Sequence, residues 1–485
     1  MTKTKNSPIM HQRNLSMMTD LYQLTMMNGY FLSGSYKNIA TFDMFFRHKG
    51  QLNYAIFAGL EQAIDYIKNL AFTSQDIDYL ASLNIFDKEF LKYLANFKFT
   101  GSLYSCEEGE IVFPYEPILI VKAPLIEAQL IETALLNIIS HQTLIATKAS
   151  KIVQAAKSKS VIEFGLRRAQ GPDAAVYGSR AAIIGGCNGT SNVLAGQLFD
   201  LDIKGTHAHS WVLSHNTELE AFENFANSYP DSCLLLIDTY DTLNSGLINA
   251  IKVFNDLKAK GHKPIGIRLD SGDLAYLSKK CRQALDCAGF NDCIIFASGD
   301  IDEKVISSLE AQDAKIDVYG VGTKLITSQD TPSLGGVYKL ASINISGIEH
   351  PKIKISNSLD RMTNPGLKKV YRLYDKDGMA KADYIALENE EINSPLILKH
   401  ETDVWKKLIL KDFTKRELLL PIFKNGKQAY QLKSINQHAK KAKFELNKFW
   451  EEYKRVDTPQ IYKVNLSQEL INLKKSLLGK NGYEI

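Results

Sequence analysis

A constant spacing between three positions restricts the fold more than any other feature of the sequence. Asp238, Arg268 and Ser298 close three apolar runs of strand length, and they stand 30 residues apart. Each run leads into a stretch whose apolar residues recur at helical spacing. One strand, one crossover helix and the next strand take about 30 residues, so we predict consecutive parallel strands.

The same alternation of strand and helix extends from residue 161 to about residue 325. Predicted strands occupy residues 161–166, 203–212, 233–237, 265–270, 293–297 and 316–320. Six or so units in about 190 residues fit a small or incomplete α/β barrel better than a full eightfold barrel of about 250 residues. A doubly wound open sheet is the alternative, because periodicity alone does not say whether a sheet closes.

The chain on either side of this region shows no strict alternation. Before it, helices are predicted at 16–30, 58–71, 87–97 and 124–158, and strands at 41–47 and within 99–121. After it, strands are predicted at 338–343, 353–356 and 369–374, and lysine-rich helices at 434–454 and 466–478. We predict four parts: a loose N-terminus at 1–14, an α+β domain at 15–140, the α/β barrel at 141–345, and a β/α region at 346–485 packing on the N-terminal domain.

The composition is that of an ordinary globular protein of two or three domains. The chain has 485 residues and a formal net charge of only +4, which does not call for a nucleic-acid partner. The six cysteines lie in apolar surroundings without CxxC pairs. The N-terminus lacks an apolar signal region, and the longest apolar stretch, at 118–139, contains three charged residues. We predict a cytoplasmic protein with reduced thiols and no membrane span.

The carboxyl ends of the predicted parallel strands collect the polar residues with the most chemical potential. They are Arg167, Arg168, Thr206, His207, His209, Ser210, Asp238, Asp241, Arg268, Asp270, Asp273, Ser298, Gly299, Asp300, Gly320, Gly322, Thr323 and Lys324. Charges at one strand end can form a merely structural ion pair. Because several strand ends repeat the pattern, and parallel strands bring these ends to one face, we predict an active site there.

Three kinds of group in this set indicate a phosphate-bearing substrate. The turns S-G-D at 298–300 and G-V-G-T-K at 320–324 can present backbone N–H groups to a phosphate. Four of the aspartates on this face fit Mg²⁺ with phosphates, or a ribose diol: Asp238, Asp241, Asp270 and Asp273. The three arginines can bind a substrate carboxylate or a pyrophosphate through two parallel hydrogen bonds.

His209 is the candidate for a direct chemical role. His207 and His209 would point to one side of a strand, as metal ligands can, but no matching Cys, His or Glu motif supports a zinc site. A nucleophilic or proton-transferring imidazole held by Asp238 or Asp241 is favoured instead.

Nine short stretches taken together resemble the nicotinate phosphoribosyltransferase family. They are D-L-Y-Q-L-T-M (20–26), F-F-R (45–47), E-F-G-L-R-R-A-Q-G-P-D-A-A (163–175), G-T-S-N-V-L-A-G (189–196), G-T-H-A-H-S-W-V (205–212), L-I-D-T-Y-D-T (236–242), I-R-L-D-S-G-D (267–273), G-V-G-T-K (320–324), and K-I-S with P-G-L-K-K-V-Y-R within 354–372. They run in family order over most of the chain. The resemblance implies an irregular α/β barrel of the type II phosphoribosyltransferase kind.

The resemblance also implies an activity and a set of residue roles. The family condenses nicotinate with 5-phosphoribosyl 1-pyrophosphate, giving nicotinate mononucleotide and pyrophosphate, with coupled ATP hydrolysis and Mg²⁺. The implied catalytic residues are His209, which would be phosphorylated transiently, with Asp238, Asp241 and Asp270. The residues implied to bind nicotinate are Phe164, Thr206, Arg268 and Tyr22, the last from a neighbouring subunit of a homodimer. The residues expected to bind phosphate and ribose are Arg167, Arg168, Asp273, Ser298, Gly299, Gly322 and Thr323.

Substrate choice has its own sequence signal. The related nicotinamide enzyme has an acidic residue in a G-T-D-T motif, whereas residues 189–192 here read G-T-S-N. An aspartate would repel a carboxylate ligand, and neutral donors with Arg268 would accept it, so nicotinate is favoured. There are two departures from the family pattern: the pair Cys187-Asn188, and His207 where an apolar residue is more usual.

Two other classes of function stay open from the sequence. A different phosphate-binding barrel enzyme, such as a sugar-phosphate isomerase, would tolerate Tyr22→Ala. A non-catalytic nucleotide sensor would bind phosphoribosyl pyrophosphate and tolerate His209→Ala. The retained set of Asp, Arg and His residues argues against a sensor, which does not need them all.

Overall fold

A computed structural model of the chain describes residues 14–47, 52–356, 361–399, 405 and 407–480. Two compact units divide the chain, Met1–Leu144 with Ser333–Ile485, and Ile145–Pro332. The predicted division into four parts stays a prediction, and residues 1–13 of its loose N-terminus lie outside the described residues.

The N-terminal part of the chain mixes helices and antiparallel strands, as predicted. Its helices are α1 (Leu21–Leu32), α2 (Leu60–Lys68), α3 (Ser74–Ser82), α4 (Lys88–Leu94), α5 (Leu125–Leu130) and α6 (Glu132–Ala155). Its strands are β1 (Ile39–Phe46), β2 (Ala55–Ile56), β3 (Ser102–Ser105), β4 (Ile111–Val112) and β5 (Leu119–Pro124). Caps such as Thr73 of α3 and Asp87 of α4 accept the first backbone N–H groups and fix where these helices begin.

The central part of the chain alternates strand and helix. Its strands are β6 (Ser160–Glu163), β7 (Gly189–Thr190), β8 (Leu234–Leu236), β9 (Gly266–Leu269), β10 (Ile294–Ala297) and β11 (Val318–Val321). Its helices are α7 (Pro172–Ile184), α8 (Val193–Phe199), α9 (His209–Leu213), α10 (Glu218–Ser228), α11 (Leu247–Ala259), α12 (Leu274–Cys287), α13 (Glu303–Ala311) and α14 (Thr323–Ile326). Short helical turns of other types cover Leu166–Arg168, Pro230–Ser232 and Thr242–Gly246.

The C-terminal part adds strands and a few helices. Its strands are β12 (Gly336–Ile345), β13 (Ile348–Pro351), β14 (Lys368–Tyr374), β15 (Ala380–Leu387), β16 (Leu396–Lys399), β17 (Lys407–Leu410), β18 (Thr414–Glu417), β19 (Leu420–Lys424), β20 (Lys427–Gln428) and β21 (Val464–Leu466). Its helices are α15 (Ile435–Leu446), α16 (Glu451–Lys454) and α17 (Gln468–Lys480). The strand predicted at 353–356 is wrong, because the β12–β13 hairpin already ends at Pro351 and the backbone after it joins no ladder.

In the first unit, a seven-stranded antiparallel sheet in the order β13-β12-β1-β5-β3-β19-β20 packs on one large apolar core. A four-stranded sheet in the order β18-β14-β15-β21 lies in the same unit. Among the helices of the described residues, none has the length and apolarity needed to cross a membrane.

The first unit also contains an arginine that is fully buried. Arg372, on β14, donates through Nε and Nη2 to both carboxylate oxygens of Asp383 at 2.9 and 2.6 Å, and through Nη1 to Glu110 at 2.8 Å. Nη2 also donates to the carbonyl oxygen of Ile111 at 2.6 Å, and the Tyr462 hydroxyl donates to Asp383 at 3.2 Å. Every side-chain nitrogen of Arg372 is therefore bonded within the protein.

The second unit is the irregular α/β barrel that the sequence predicted. Its six parallel strands run in the order β7-β6-β11-β10-β9-β8, so the first strand of the unit pairs with the last. This order is the chain order read around a ring, whereas a doubly wound sheet reverses direction once along its width. An isolated parallel bridge joins Thr190 of β7 to Ile203 and continues the ring towards β8.

The ring has one seam, between Ile203 and β8. The strand predicted at 203–212 is wrong: only the Ile203 bridge pairs, and α9 begins at His209. Two side chains cross the seam instead, the Thr206 hydroxyl to the Leu234 carbonyl oxygen and His207 Nε2 to the Leu236 N–H at 3.2 Å. From His209 onward the chain is helical rather than extended, because the helix buries Val212 in the core outside the barrel.

Candidate active site

The inward direction of the barrel side chains follows from strand alternation. On β9, Ile267 and Leu269 belong to the core between strands and outer helices, so Arg268 between them points the other way. Phe296 of β10 lies in the interior cluster, which Phe164 extends. The barrel interior thus presents aromatic rings and one guanidinium at the carboxyl ends of its strands.

An aromatic stack forms the floor of this site. The rings of Phe164 and Phe296 stack with centroids 5.4 Å apart and planes 17° apart, and the Arg268 guanidinium carbon lies 5.5 Å from the centre of the Phe164 ring. Gly320 makes room for both rings, since a Cβ there would lie 2.7 Å from Phe296 and 2.8 Å from Phe164. Such a floor suits a planar aromatic ligand.

Arg268 is oriented by two neighbours and keeps donors for a ligand. Its Nε donates to the Ser298 hydroxyl at 2.8 Å, and its Nη2 pairs with Asp270 at 2.8 Å. Within the described residues its Nη1 makes no hydrogen bond, although its side chain is only 14% exposed. A half-buried guanidinium with a free nitrogen can bind an anionic group strongly.

The Ser298 hydroxyl donates to Asp270 and so completes a ring of three groups with Arg268. Burial alone would raise the pKa of Asp270, but the Ser298 hydrogen bond and the Arg268 charge outweigh burial and lower it. Asp270 is therefore a carboxylate at neutral pH. Because the Ser298 hydroxyl is already used, this residue orients its neighbours in the structure.

His209 lies at the start of α9 and faces two carboxylates. Its Nε2 is 4.0 Å from Asp238 and 3.9 Å from Asp270, and its Nδ1 is hydrogen-bonded to the Thr239 hydroxyl at 3.1 Å. With Nδ1 engaged, Nε2 is the nitrogen available for chemistry, and its side chain is 40% exposed. Asp238 and Asp270, rather than Asp241, are the carboxylates beside this imidazole.

Asp238 combines burial with an unused oxygen. Its side chain is 2% exposed, and its Oδ2 accepts hydrogen bonds from the Asp270 N–H at 2.8 Å and from the Ser271 hydroxyl at 2.7 Å. Its Oδ1, which faces His209, is buried and accepts no hydrogen bond from the described residues. Burying an acceptor without a hydrogen bond costs free energy, so this oxygen is suited to bind a donor or a cation from a ligand.

Asp241 and Asp273 stand apart from this cluster as helix caps. Asp241 accepts the N–H groups of Leu243 and Asn244, and these bonds lower its pKa. Asp273 likewise accepts the first N–H groups of α12. Among the described residues, neither carboxylate contacts His209.

Two glycine-containing turns face the solvent beside this cluster. Gly299 has a φ of 118°, and a Cβ there would lie 2.8 Å from the Asp270 carbonyl oxygen, so the turn requires glycine. Thr323 begins α14 after Gly322, and the first N–H groups of a helix have no acceptor within it. An ion pair of 2.9 Å between Lys324 and Asp302 joins the two turns.

Of the remaining predicted residues, Arg167, Arg168 and Tyr22 are exposed and Thr206 is half-buried. Arg167 and Arg168 lie on the short helical turn that follows β6 and Phe164, with their side chains in solvent. Thr206 is half-buried and spends its hydroxyl hydrogen on Leu234. Tyr22 lies on α1 of the first unit and is 48% exposed.

Two residues of the site, and one residue that supports it, were missed by sequence reasoning. Thr239 holds His209 and stands next to Asp238 in the quoted I-D-T-Y-D-T stretch, which was the available signal. Phe296 extends the aromatic floor. Glu163, the buried neighbour of Phe164, accepts hydrogen bonds from Ser179 of α7 and Thr190 of β7, which tie β6 to both elements.

The carboxylates beside His209 are compatible with a bound Mg²⁺ ion. The described part of the chain has no group of three or more His, Cys, Asp or Glu side chains that could hold a metal ion by itself. Mg²⁺ usually takes one or two carboxylates and completes its shell with substrate phosphates and water. Asp238, with its unused Oδ1, and Asp270 fit that pattern.

The chain was then compared with known proteins. Three family models match it: the nicotinate phosphoribosyltransferase (NAPRTase) N-terminal domain at 17–140, the nicotinate phosphoribosyltransferase (NAPRTase) family at 159–374, and the nicotinate phosphoribosyltransferase C-terminal domain at 367–474. A nicotinate phosphoribosyltransferase of Bacillus subtilis is 47% identical over 460 residues, which is 94% of each chain. One of Homo sapiens is 30% identical over 95% of this chain and 96% of its own.

A solved structure agrees with these sequence relatives. The crystal structure of human nicotinic acid phosphoribosyltransferase has a TM-score of 0.84 and 29% identity, covering 95% of this chain and 99% of its own. The barrel, its strand-end site and these matches lead to one conclusion. The chain belongs to the nicotinate phosphoribosyltransferase family of enzymes.

Proposed function

We propose that the protein condenses nicotinate with 5-phosphoribosyl 1-pyrophosphate, giving nicotinate mononucleotide and pyrophosphate for NAD salvage. ATP hydrolysis drives the reaction through a phosphorylated His209, and Mg²⁺ is required. The observation that carries the proposal is Arg268, whose Nη1 makes no hydrogen bond among the described residues and whose guanidinium carbon lies 5.5 Å from the centre of the Phe164 ring. A planar ring with a carboxylate is the ligand that this pair of groups fits.

The condensation follows from the groups around Arg268. The pyridine ring lies on Phe164 with its carboxylate on Nη1, which aims the ring nitrogen at the ribose carbon that loses pyrophosphate. Positive charge develops on that ribose as the bond to pyrophosphate breaks, and the Asp270 carboxylate stabilises it. The turns at 298–300 and 322–324 hold the 5′-phosphate, and Arg167 and Arg168 neutralise the pyrophosphate.

When bound, Mg²⁺ would neutralise charge on the departing pyrophosphate. Asp238 and Asp270 would hold it, since they offer the unused buried oxygen and an ionised carboxylate. Asp241 and Asp273 support these groups indirectly by capping the helices that follow β8 and β9.

ATP coupling uses the free nitrogen of His209. His209 Nε2 attacks the γ-phosphorus, the new N–P bond replaces the bond to the β,γ-bridging oxygen, and ADP leaves. Hydrolysis of the N–P bond then gives phosphate and restores the imidazole. The Thr239 hydroxyl holds Nδ1 throughout, so the ring keeps its orientation.

Preference for nicotinate rests on fewer residues than the sequence indicated. In the stretch 189–192, the Asn192 side chain caps α8 and donates to Ala175 and Ser179, so it has no donor left for a ligand. The Ser191 hydroxyl makes no hydrogen bond within the described residues. Ser191 and Arg268 are therefore the residues that would favour the carboxylate of nicotinate over the amide of nicotinamide.

We also propose a cytoplasmic homodimer with shared active sites. The supporting observation is the exposed apolar surface of α1, where Leu21, Tyr22 and Met26 are 55%, 48% and 36% exposed. Such a surface fits an interface with a second copy, from which Tyr22 would cover the free face of the pyridine ring. All six cysteines are unpaired, as a reducing compartment requires.

The test measures mononucleotide formation from nicotinate, phosphoribosyl pyrophosphate and Mg²⁺, with and without ATP. Wild type and the control variant His262→Ala, whose histidine pairs with Asp231 at the opposite end of the barrel, should both be accelerated by ATP. His209→Ala should retain the rate without ATP and lose the acceleration. Loss of both rates in His209→Ala, or no product from wild type, would contradict the proposal.

A further inference from the structure

The part of the barrel that carries His209 is attached in an unusual way. The seam segment, residues 203–208, pairs its backbone with the barrel only around Ile203 and Lys204, both against Thr190. From Gly205 to Ala208 no strand forms, and α9 begins at His209. The position of His209 relative to β8 therefore depends on side chains.

Two side chains of the seam segment satisfy the free edge of β8. The Thr206 hydroxyl donates to the carbonyl oxygen of Leu234, and the Leu236 N–H donates to His207 Nε2 at 3.2 Å. On an edge strand these backbone groups have no ladder partner, and leaving them buried and unbonded is costly. The side chains replace the ladder that a seventh strand would have supplied.

The surroundings of His207 hold its ring in place and keep it neutral. It is 8% exposed, and its ring packs against Phe225 and Phe222 with centroids 4.7 and 6.2 Å away. Its Nε2 accepts a hydrogen bond, so the ring is neutral with its proton on Nδ1, which lies 3.4 Å from the Ala208 carbonyl oxygen. Burial lowers the pKa of His207 to about 4, which keeps the ring neutral at physiological pH.

We propose that His207 is a positioning residue that fixes His209 over Asp238 and Asp270 for phosphoryl transfer, and that it acts on this step alone. The proposal rests on the proposed ATP coupling through His209. The two histidines are separated by one residue, so the bond to Leu236 fixes the chain immediately before the first residue of α9.

Apart from Thr206, which lies in the seam segment and has its own bond to Leu234, the substrate-holding side chains are anchored independently of the seam. Arg268 and Asp270 follow β9 and are held by Ser298 after β10. Asp238 is held by the Asp270 N–H and by Ser271. Loss of the His207 bond would consequently displace His209 and leave the nicotinate and ribose contacts in place.

The test compares His207→Leu, which fills the space without an acceptor, with His207→Gln, whose amide oxygen can reach the Leu236 N–H. Two quantities are measured for each: the rate with and without ATP, and the label retained on the protein from γ-³²P-ATP. We expect His207→Leu to lose about tenfold to a hundredfold of the ATP-stimulated rate and label, because small displacements of a reacting group are that costly. Its rate without ATP should stay within about twofold of wild type, and His207→Gln should recover most of the stimulation.

Three results would contradict a positioning role for His207. Equal loss of both rates in His207→Leu would assign the residue a merely structural role, and full ATP stimulation in that variant would show that it positions nothing. If His207→Leu does not fold, His207→Asn replaces it, since its side chain is too short to reach Leu236. Absence of ATP stimulation or label in wild type would overturn both this proposal and the ATP coupling, which separates the two kinds of failure.

Discussion

Two arginines of this chain, one in each compact unit, show what distinguishes a structural charge from a functional one. Arg372 has every nitrogen bonded to Asp383, Glu110 or a backbone carbonyl, and its side chain is fully buried. Arg268 is oriented by Ser298 and Asp270 but keeps Nη1 unbonded in the described residues. Both sit on strands among carboxylates, so sequence context alone hardly separates them.

The carboxylates repeat the contrast. Asp383 accepts three hydrogen bonds, from two nitrogens of Arg372 and from Tyr462. Asp238 is nearly as buried, yet its Oδ1 has no partner among the described residues. At the strand ends, unused hydrogen-bonding capacity on Asp238 and Arg268 coincides with the residues expected to bind substrate, which is the difference from Arg372 and Asp383.

The largest expected effect is the loss of stability on replacing the structural arginine, Arg372. Arg372→Met leaves Asp383 buried without its main partner, while Glu110 keeps Arg416 and Lys441, so the free energy of unfolding should fall by about 3–5 kcal/mol. Urea unfolding followed by circular dichroism measures it. Arg372→Lys should recover only part of the loss, because one ammonium cannot replace the guanidinium fork. A change below about 1 kcal/mol would show that this network is not a structural core.

The matching change on the functional side should act on catalysis and spare stability. Arg268→Gln removes the charged donors for the nicotinate carboxylate, and kcat/KM for nicotinate should fall about a hundredfold, or about 3 kcal/mol. The free energy of unfolding should change by less than about 1 kcal/mol, since Asp270 is 31% exposed and keeps its hydrogen bond from Ser298. The opposite pattern, a large loss of stability with normal kinetics, would place Arg268 with Arg372.

A pH series sharpens the comparison at His207. Burial, assisted by the charges of Arg268 and His209 and opposed by the Ala208 carbonyl oxygen, lowers its folded pKa to about 4, whereas the unfolded value is about 6.5. A lowered pKa in a base means that the stabilisation is full above pH 6.5 and is lost as pH falls towards 4. Between pH 7 and pH 4.5, wild type should lose about 2 kcal/mol more stability than His207→Gln. Parallel pH curves for the two proteins would show that His207 does not titrate in this way.

The smallest expected effect concerns the aromatic floor. In Gly320→Ala the new methyl group would lie 2.7 Å from Phe296 and 2.8 Å from Phe164, so both rings must shift. KM for nicotinate should rise about fivefold to tenfold, about 1 kcal/mol, with a smaller change in KM for phosphoribosyl pyrophosphate. Gly205→Ala is the control, because nothing lies within 4 Å of a Cβ at that position. Equal effects in both variants would remove the ring stack from the account.

Most of the barrel could be predicted from the sequence because its strands are fully buried apolar runs with polar residues at their carboxyl ends. The strand predicted at 293–297 is observed at Ile294–Ala297, for example. The same pattern failed at 203–212, where the alternation of apolar and polar residues reflects two side chains that bond to β8 rather than a strand. Hydrogen bonds made by side chains leave no periodic signal.

The sequence predicted that the site residues cluster, but it did not predict which role each of them has. Of the four aspartates singled out, Asp238 and Asp270 lie beside His209, and Asp241 and Asp273 cap helices. Each capping aspartate directly precedes a predicted helix, so the capping rule could have separated them. The unused oxygen of Asp238 and the use of the Ser298 hydroxyl needed three-dimensional distances.

The most direct test of the account is the ratio of kcat/KM for nicotinate and nicotinamide in the wild-type protein with phosphoribosyl pyrophosphate, Mg²⁺ and ATP. Both ligands can lie on Phe164, but only nicotinate offers a carboxylate to the free nitrogen of Arg268. We expect a preference for nicotinate of about tenfold to a hundredfold, which is the free energy of one charge-assisted hydrogen bond expressed as a ratio. Equal turnover of the two, or preference for nicotinamide, would contradict it.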